Sequence, residues 1–241
     1  MPTAVLLSGG LDSAVLVAEE AARPEAGQIQ PIYVSVGLAW ERAEREVVEW
    51  FLTAASLGSR LRPLVKLAVD MSDVYPAAHW SMQGRPPAYH TPDKDVYLPG
   101  RNIVLLAKAG VYCATTRIDR IVLGTLDHNP FPDATPAFRA ALASALSLGL
   151  AHHLTIDAPY ARVTKAEVIR RGAALRLPLE LTLSCMSPVE AVEASGDTGI
   201  AARAFPRHCG VCSKCRERHD GFLEAGVADR TDYADRTHTG E

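Results

Sequence analysis

Two groups of residues have the types and spacing to do chemistry. The first is Leu7-Ser8-Gly9-Gly10-Leu11-Asp12-Ser13. Its glycines allow a tight turn and a close approach of backbone N–H groups to an anion, and Ser8 and Ser13 add hydroxyl donors. Asp12 can cap a following helix or help hold Mg²⁺. The second group is Cys209, Cys212 and Cys215, in the order C-x-x-C-x-x-C. That spacing lets three thiolates converge on one ion, and Cys185 is available as a fourth from an upstream loop. Four sulfurs suit a closed tetrahedral Zn²⁺ site. The same spacing serves iron–sulfur ligation, but the x-x-x-C-P element of the bacterial ferredoxin run does not follow it, so zinc is the first choice. His208 adjoins Cys209 and is poorly placed to replace a ligand. Cys113, alone in an Ala/Val/Leu stretch, reads as a buried apolar residue rather than a nucleophile.

A phosphate-binding loop needs a strand before it and a helix N-terminus after it, where backbone N–H groups and the helix dipole meet an anion. The sequence supplies both. Ala4 to Leu7 is a short apolar run, and Asp12 opens an Ala/Val/Leu/Glu-rich helical segment through Ala22. Strand signals recur at 31–36, 63–69, 120–124 and 153–156, and helical spacing at 41–57, 102–116, 135–148 and 164–175. Strands alternating with helices predict a doubly wound parallel sheet, an α/β fold of Rossmann-like type. Residues 70–100 interrupt the alternation with five prolines and with Tyr75, His79, Trp80, Tyr89, His90 and Tyr97. A segment of that length reads as a lid or binding loop, whose aromatics either stack a planar base or pin the loop to the sheet.

The organisation that follows is a nucleotide-binding α/β domain over 1–182, a cysteine module over 183–226 with an irregular connector at 195–204, and a polar tail over 227–241 that lacks a core pattern and is expected to fray. At 241 residues and 48% hydrophobic, the chain can bury one sizeable core. A net charge of −3 gives no broad basic field, which argues against nonspecific nucleic-acid binding and for a small-molecule substrate. Pro2 to Leu7 runs straight into the glycine pair without a signal pattern, and no apolar run reaches membrane-spanning length. Five cysteines, three of them within seven residues, fit a metal site in a reducing compartment. A cytoplasmic protein is expected, and a homodimer through an exposed helix face would be ordinary for this fold class.

The loop lacks both the G-x-x-x-x-G-K-[ST] and the G-x-G-x-x-G patterns. Instead SGGLDS resembles the signature of the N-type ATP pyrophosphatases, the PP-loop family. That resemblance implies that the loop holds the β and γ phosphates as the leaving pyrophosphate while AMP passes to a substrate oxygen. Three further stretches narrow it: Leu98-Pro99-Gly100-Arg101-Asn102, Phe131-Pro132-Asp133-Ala134, and Cys209 to Arg218 followed by Gly221-Phe222. With the lone upstream cysteine they resemble the 7-cyano-7-deazaguanine synthase family over residues 4 to about 223.

The family resemblance implies ATP-dependent conversion of 7-carboxy-7-deazaguanine and ammonia to the nitrile, with zinc on four cysteines. It assigns Leu7, Ser8, Gly9, Gly10, Leu11, Asp12 and Ser13 to ATP and Cys185, Cys209, Cys212 and Cys215 to zinc, and puts Arg101, Asn102 and Asp133 on the substrate side. Asp12, Lys165 and Arg101 are the candidate catalytic residues. Lys165, at a helix start, reads either as a phosphate contact or as a solvated lysine, and Arg218 as a brace for the zinc module. Leu11, Ala134 and Thr135 differ from the family's common pattern, which keeps a relative acting on another acid in view. The intact SGGLDS argues against a noncatalytic zinc-dependent interaction module, and a tRNA-modifying sulfur transferase is a further alternative. Against it stand the lack of a basic extension and the structural look of the cysteines.

Overall fold

The computed structural model describes residues 1–190 and 205–239. Five strands, β1 (Thr3–Leu6), β2 (Ile29–Ser35), β3 (Val65–Ala68), β4 (Arg120–Val122) and β5 (Thr155–Asp157), form one parallel sheet in the order β3-β2-β1-β4-β5. The expected α/β architecture is therefore present. β1 lies at the centre, with β2 on one side and β4 on the other. The winding reverses between β1 and β4, and the crevice beyond their C-terminal ends is where open α/β sheets bind ligands.

Neighbouring residues of one strand serve opposite layers, as the period of two requires. Val5 and Val122 point into a core with Val15 and Leu16 of α1 (Leu11–Ala22), Phe51 of α2 (Glu41–Ala54) and Ile169 of α6 (Lys165–Ala174). Ala4 and Ile121 point the other way, toward Leu106, Ala109 and Cys113 of α4 (Arg101–Thr116). α5 (Pro136–Leu150) covers the outer part of that second face, and Thr135 caps it by accepting from the Phe138 N–H. Cys113 is fully buried, and burial pushes its thiol up to about 12, in keeping with an inert apolar residue.

The 70–100 segment carries a short helix α3 (Trp80–Gln83) and a 3-10 turn at Asp93–Val96. Met71, Tyr75, Val96 and Leu98 build a small core with Trp40 and Leu38 beyond the end of β2. The Tyr75 hydroxyl donates to the Pro99 carbonyl, and Tyr97 stacks on Phe131. Most of the aromatics thus pin the segment, and Trp80 is the one that faces the crevice described below.

The last helix, α7 (Ser213–Ala225), runs from the cysteine cluster back onto α6, and its Phe222 joins the core of the main domain. The expected fraying of the tail is not what residues 229–239 display. His208 pairs with Tyr233 in a short parallel bridge, Thr231 and Tyr233 are buried, and His238 stacks on Tyr89. The polar character of the segment concealed this, because its anchors are hydrogen bonds and rings rather than an aliphatic pattern. The connector at 195–204 lies outside the described residues.

Candidate functional site

β1 delivers the glycine loop at 7–13, the candidate phosphate loop, to the crevice. Gly9 turns at φ +82°, and a Cβ there would lie 3.1 Å from the Glu44 carbonyl oxygen and 3.2 Å from Val48 Cγ2, so both its backbone angle and the close approach of α2 call for glycine. Two hydroxyls lock the turn. The Ser8 N–H donates to Ser13 Oγ at 3.2 Å, the Gly10 N–H to Ser8 Oγ at 3.3 Å, and Ser13 Oγ donates to the Gly10 carbonyl at 3.0 Å. No side chain among the described residues caps α1, which leaves its first N–H groups and the positive end of its dipole for an anion.

The loop opens into a cleft of about 320 Å³. Four charged side chains from three helices meet beside it. Lys165 Nζ lies 2.8 and 2.9 Å from the two Asp12 oxygens and 3.2 Å from Glu217 Oε1, and Glu217 also pairs with Lys214. Burial alone would favour a neutral lysine, but Asp12 and Glu217 outweigh it and hold the Lys165 ammonium above its usual range. Burial would likewise favour a protonated Glu217, and the two lysines overcome that and keep its carboxyl well below the ordinary value. Lys165 is thus a cleft residue rather than a solvated one. Gly221 of α7 makes room for it, since a Cβ there would fall 2.6 Å from Lys165 Cγ.

Away from the phosphate loop the cleft is walled by Trp40, Trp80 and Phe131, with Glu44, Arg101 and Asn102 supplying polar groups. Arg101 and Asn102 open α4. Asp133 stands behind them, 4% exposed, and accepts from the Asn102 backbone N–H at 3.1 Å and from its side-chain amide at 3.2 Å. It is not among the cleft-lining residues; it fixes one that is. Glu44 is buried on α2 and accepts from the Tyr33 hydroxyl at 2.9 Å and from Trp40 Nε1 at 3.0 Å. Burial pushes its carboxyl up to about 7, against the pull of Arg101.

The sulfur atoms of Cys185, Cys209, Cys212 and Cys215 all lie within 4.8 Å of one another, and all four side chains are buried. Cys209 and Cys215 are 3.8 Å apart and Cys212 and Cys215 3.5 Å, close to the roughly 3.8 Å expected between sulfurs around one tetrahedral ion with metal–sulfur bonds of about 2.3 Å. The Ser187 and Cys209 N–H groups donate to Cys185 Sγ, an arrangement that favours thiolate. The donor set fits a metal ion. His208 stays out of it, for its Nε2 accepts from the Ser184 N–H, and burial keeps the ring neutral. Arg218 braces the module from beneath, with hydrogen bonds to Thr231, Thr182, Ser184 and the Leu179 carbonyl and its guanidinium over the Phe222 ring.

A sequence model of one family, described as queuosine biosynthesis protein QueC, matches residues 3–226. The chain belongs to the QueC family. Similar proteins include a 7-cyano-7-deazaguanine synthase from Anaeromyxobacter dehalogenans (strain 2CP-C), 33% identical over 95% of this chain and 94% of its own. Another 7-cyano-7-deazaguanine synthase, from Azoarcus sp. (strain BH72), is 32% identical over 96% of each. Among solved structures, a predicted subunit of a tRNA methyltransferase from Methanocaldococcus jannaschii superposes with a TM-score of 0.45 at 14% identity, covering 98% of this chain and 94% of that one. That likeness is too loose to bear on activity.

Among the cleft residues of this QueC family member that the sequence alone does not single out are Trp40, Glu44, Lys214 and Glu217. One signal for Glu44 was present, because it lies three and four residues before Val47 and Val48 on the buried stripe of α2, where a carboxylate needs a reason. Lys214 and Glu217 were hidden by their neighbours, the cysteines.

Proposed function

We propose that this chain converts 7-carboxy-7-deazaguanine and ammonia to 7-cyano-7-deazaguanine at the expense of ATP, with Mg²⁺ on the phosphates and Zn²⁺ on the four cysteines. The observation that carries the reading is that one cleft joins the phosphate loop to an aromatic end furnished with Arg101 and Glu44, in a chain of the QueC family.

A carboxylate is a poor electrophile at neutral pH. Attack of its oxygen on the α phosphate expels pyrophosphate and leaves an acyl adenylate, and ammonia then displaces AMP to give an amide. A second adenylation, on the amide oxygen, sets up loss of AMP and protons to leave the nitrile. The loop N–H groups with Ser8 and Ser13 hold the pyrophosphate that departs, and Lys165 moves from its carboxylate partners to neutralise it. Mg²⁺ would be held by the phosphates and Asp12, supplying charge neutralisation. Arg101 and Asn102 orient the acid, with Asp133 fixing Asn102. Cys185, Cys209, Cys212 and Cys215 would hold Zn²⁺ as a closed structural centre that anchors α7 and its Lys214 and Glu217.

No described helix is long and apolar enough to cross a membrane, and a thiolate site suits the reducing cytoplasm. Val111 of α4 and Leu148 of α5 are exposed on the outer face, where a second copy would pack in a homodimer. A second reading, adenylation of a different acid, draws on Asn129 and Phe131, since the cleft is lined in part by the 127–135 segment. The deciding experiment is a mass-resolved assay with Mg·ATP, ammonium and 7-carboxy-7-deazaguanine. Nitrile with AMP is the expected result. An unchanged acid with folded, metal-loaded protein sinks the first reading and leaves the second.

A further inference from the structure

At the aromatic end of the cleft two opposite charges face the cavity without meeting. Glu44 is bound by two neutral donors, Tyr33 and Trp40, and forms no ion pair among the described residues. Arg101 lines the same space, and its Nε is buried with no hydrogen-bond partner among the described residues. A buried carboxylate and a buried guanidinium N–H left unmatched are each destabilising. Glu41 offers a contrast three residues earlier. Its oxygens are taken by the Val36 and Gly37 N–H groups, at 2.8 and 3.1 Å, and by the Ser35 hydroxyl, so that carboxylate is a loop fastener with three of its four acceptor sites filled by its own loop.

We infer that Glu44 is the specificity-determining residue for the substrate ring, accepting from the adjacent ring N–H and exocyclic amine of a guanine-type edge, while Arg101 faces the acceptor side of the same ring. This rests on the substrate reading above. A carboxylate oxygen has two lone pairs. Tyr33 takes one from one oxygen and Trp40 one from the other, which leaves two parallel acceptors for two parallel donors. An adenine presents an acceptor beside a single donor at the corresponding edge and is repelled there, so the same group sorts the substrate from the base of ATP. Trp40 and Trp80 stack with ring centroids 5.9 Å apart and planes 6° from parallel, and give the planar ring an aromatic wall.

The test is equilibrium binding of 7-carboxy-7-deazaguanine and of its analogue without the 2-amino group, to the wild-type protein and to Glu44→Gln. The glutamine keeps the local bonds, because its carbonyl accepts from Trp40 and its amide can donate to the Tyr33 oxygen. Wild type is expected to prefer the amino compound about 10- to 100-fold, and Glu44→Gln to shrink that preference to within about threefold. Glu44→Asp, which keeps the charge but withdraws the acceptors by one methylene, is a second variant should the first fold poorly, and the same loss of preference is expected. A preference that survives in either variant, in protein that still makes the nitrile, overturns the role of Glu44 and leaves the reaction standing. A wild type that binds neither compound overturns both.

Discussion

The two ends of the cleft are built on opposite plans. At the phosphate end every charged side chain has a charged partner: Asp12, Lys165, Glu217 and Lys214 form a continuous chain of ion pairs. At the aromatic end Glu44 and Arg101 have none among the described residues. The difference teaches where ligand binding must rearrange and where it need only arrive. In the proposed reaction an incoming triphosphate would have to draw Lys165 away from Asp12, whereas a ring that carries both donors and acceptors would meet groups that are already waiting.

The comparison is broken most completely by removing the ion that the cysteines are built to hold. Structural metal sites contribute on the order of 10 kcal/mol to folding, and here the module carries Lys214 and Glu217 into the cleft. Chelation, or Cys212→Ser, is expected to release α7, cost tens of degrees in thermal midpoint and take turnover below detection. Turnover that persists in protein shown metal-free by elemental analysis would separate the module from the site. The next largest effect belongs to Lys165→Met, which leaves Asp12 and the departing pyrophosphate without their cation. Turnover should fall about 10²- to 10³-fold in protein that still folds but melts at a lower temperature, because Asp12 loses its partner, and a fall of less than about fivefold would assign Lys165 to stability alone.

The same contrast explains what the sequence made legible. The phosphate loop is one contiguous heptad between a strand and a helix, and the cysteines carry their own spacing, so both could be read from neighbours in the chain. The strand and helix alternation gave the sheet, although β4 ends at Val122 and β5 begins at Thr155, because pairing with neighbouring strands rather than local pattern decides where a ladder stops. The aromatic end was legible only in part, for Arg101, Asn102 and the segment that carries Trp80 were singled out and Trp40 and Glu44 were not. Trp40, Glu44, Trp80 and Arg101 come from three separated segments, and only the sheet order β3-β2-β1-β4-β5 brings α2, α3 and α4 to one crevice. Residues 229–239 were misread for a related reason: Arg218, which holds Thr231, reaches it from another element.

A smaller effect sharpens the unpaired end. Glu44 has its carboxyl pushed up to about 7 by burial, against an ordinary value of 4.5, with Arg101, Glu41, Tyr33 and Trp40 around it. The folded protein therefore binds this proton more tightly than the unfolded chain does, and Glu44 becomes less of a burden as pH falls from about 7 toward 4.5. Its burden above pH 7 is up to about 3 kcal/mol. Glu44→Gln should be more stable than wild type at pH 8 and lose that advantage by pH 5. Substrate affinity should move the other way in wild type, weakening as Glu44 takes up its proton below pH 7. Parallel urea curves for the two proteins across pH 5 to 8 measure the difference, and a constant offset would show that Glu44 does not titrate there.

The smallest effect is expected at Asp133, which lies behind the cleft and serves it through Asn102. Gly100 precedes α4 with no side-chain cap of its own, so Asp133 acts as a cap delivered from 31 residues away, taking the Asn102 N–H at 3.1 Å. Asp133→Ala should cost about 1 kcal/mol of stability, the usual cost of a lost cap. It should also loosen Asn102 and the adjacent Arg101, and raise KM for the acid severalfold with kcat changed less, because a positioning residue acts on how the substrate is held. Asp133→Asn retains one acceptor for the backbone N–H and should recover most of the stability but only part of the KM. If both variants lower kcat as strongly as Lys165→Met does, Asp133 reaches the reacting atoms in the closed complex, and the division between a paired phosphate end and a waiting substrate end needs a third member.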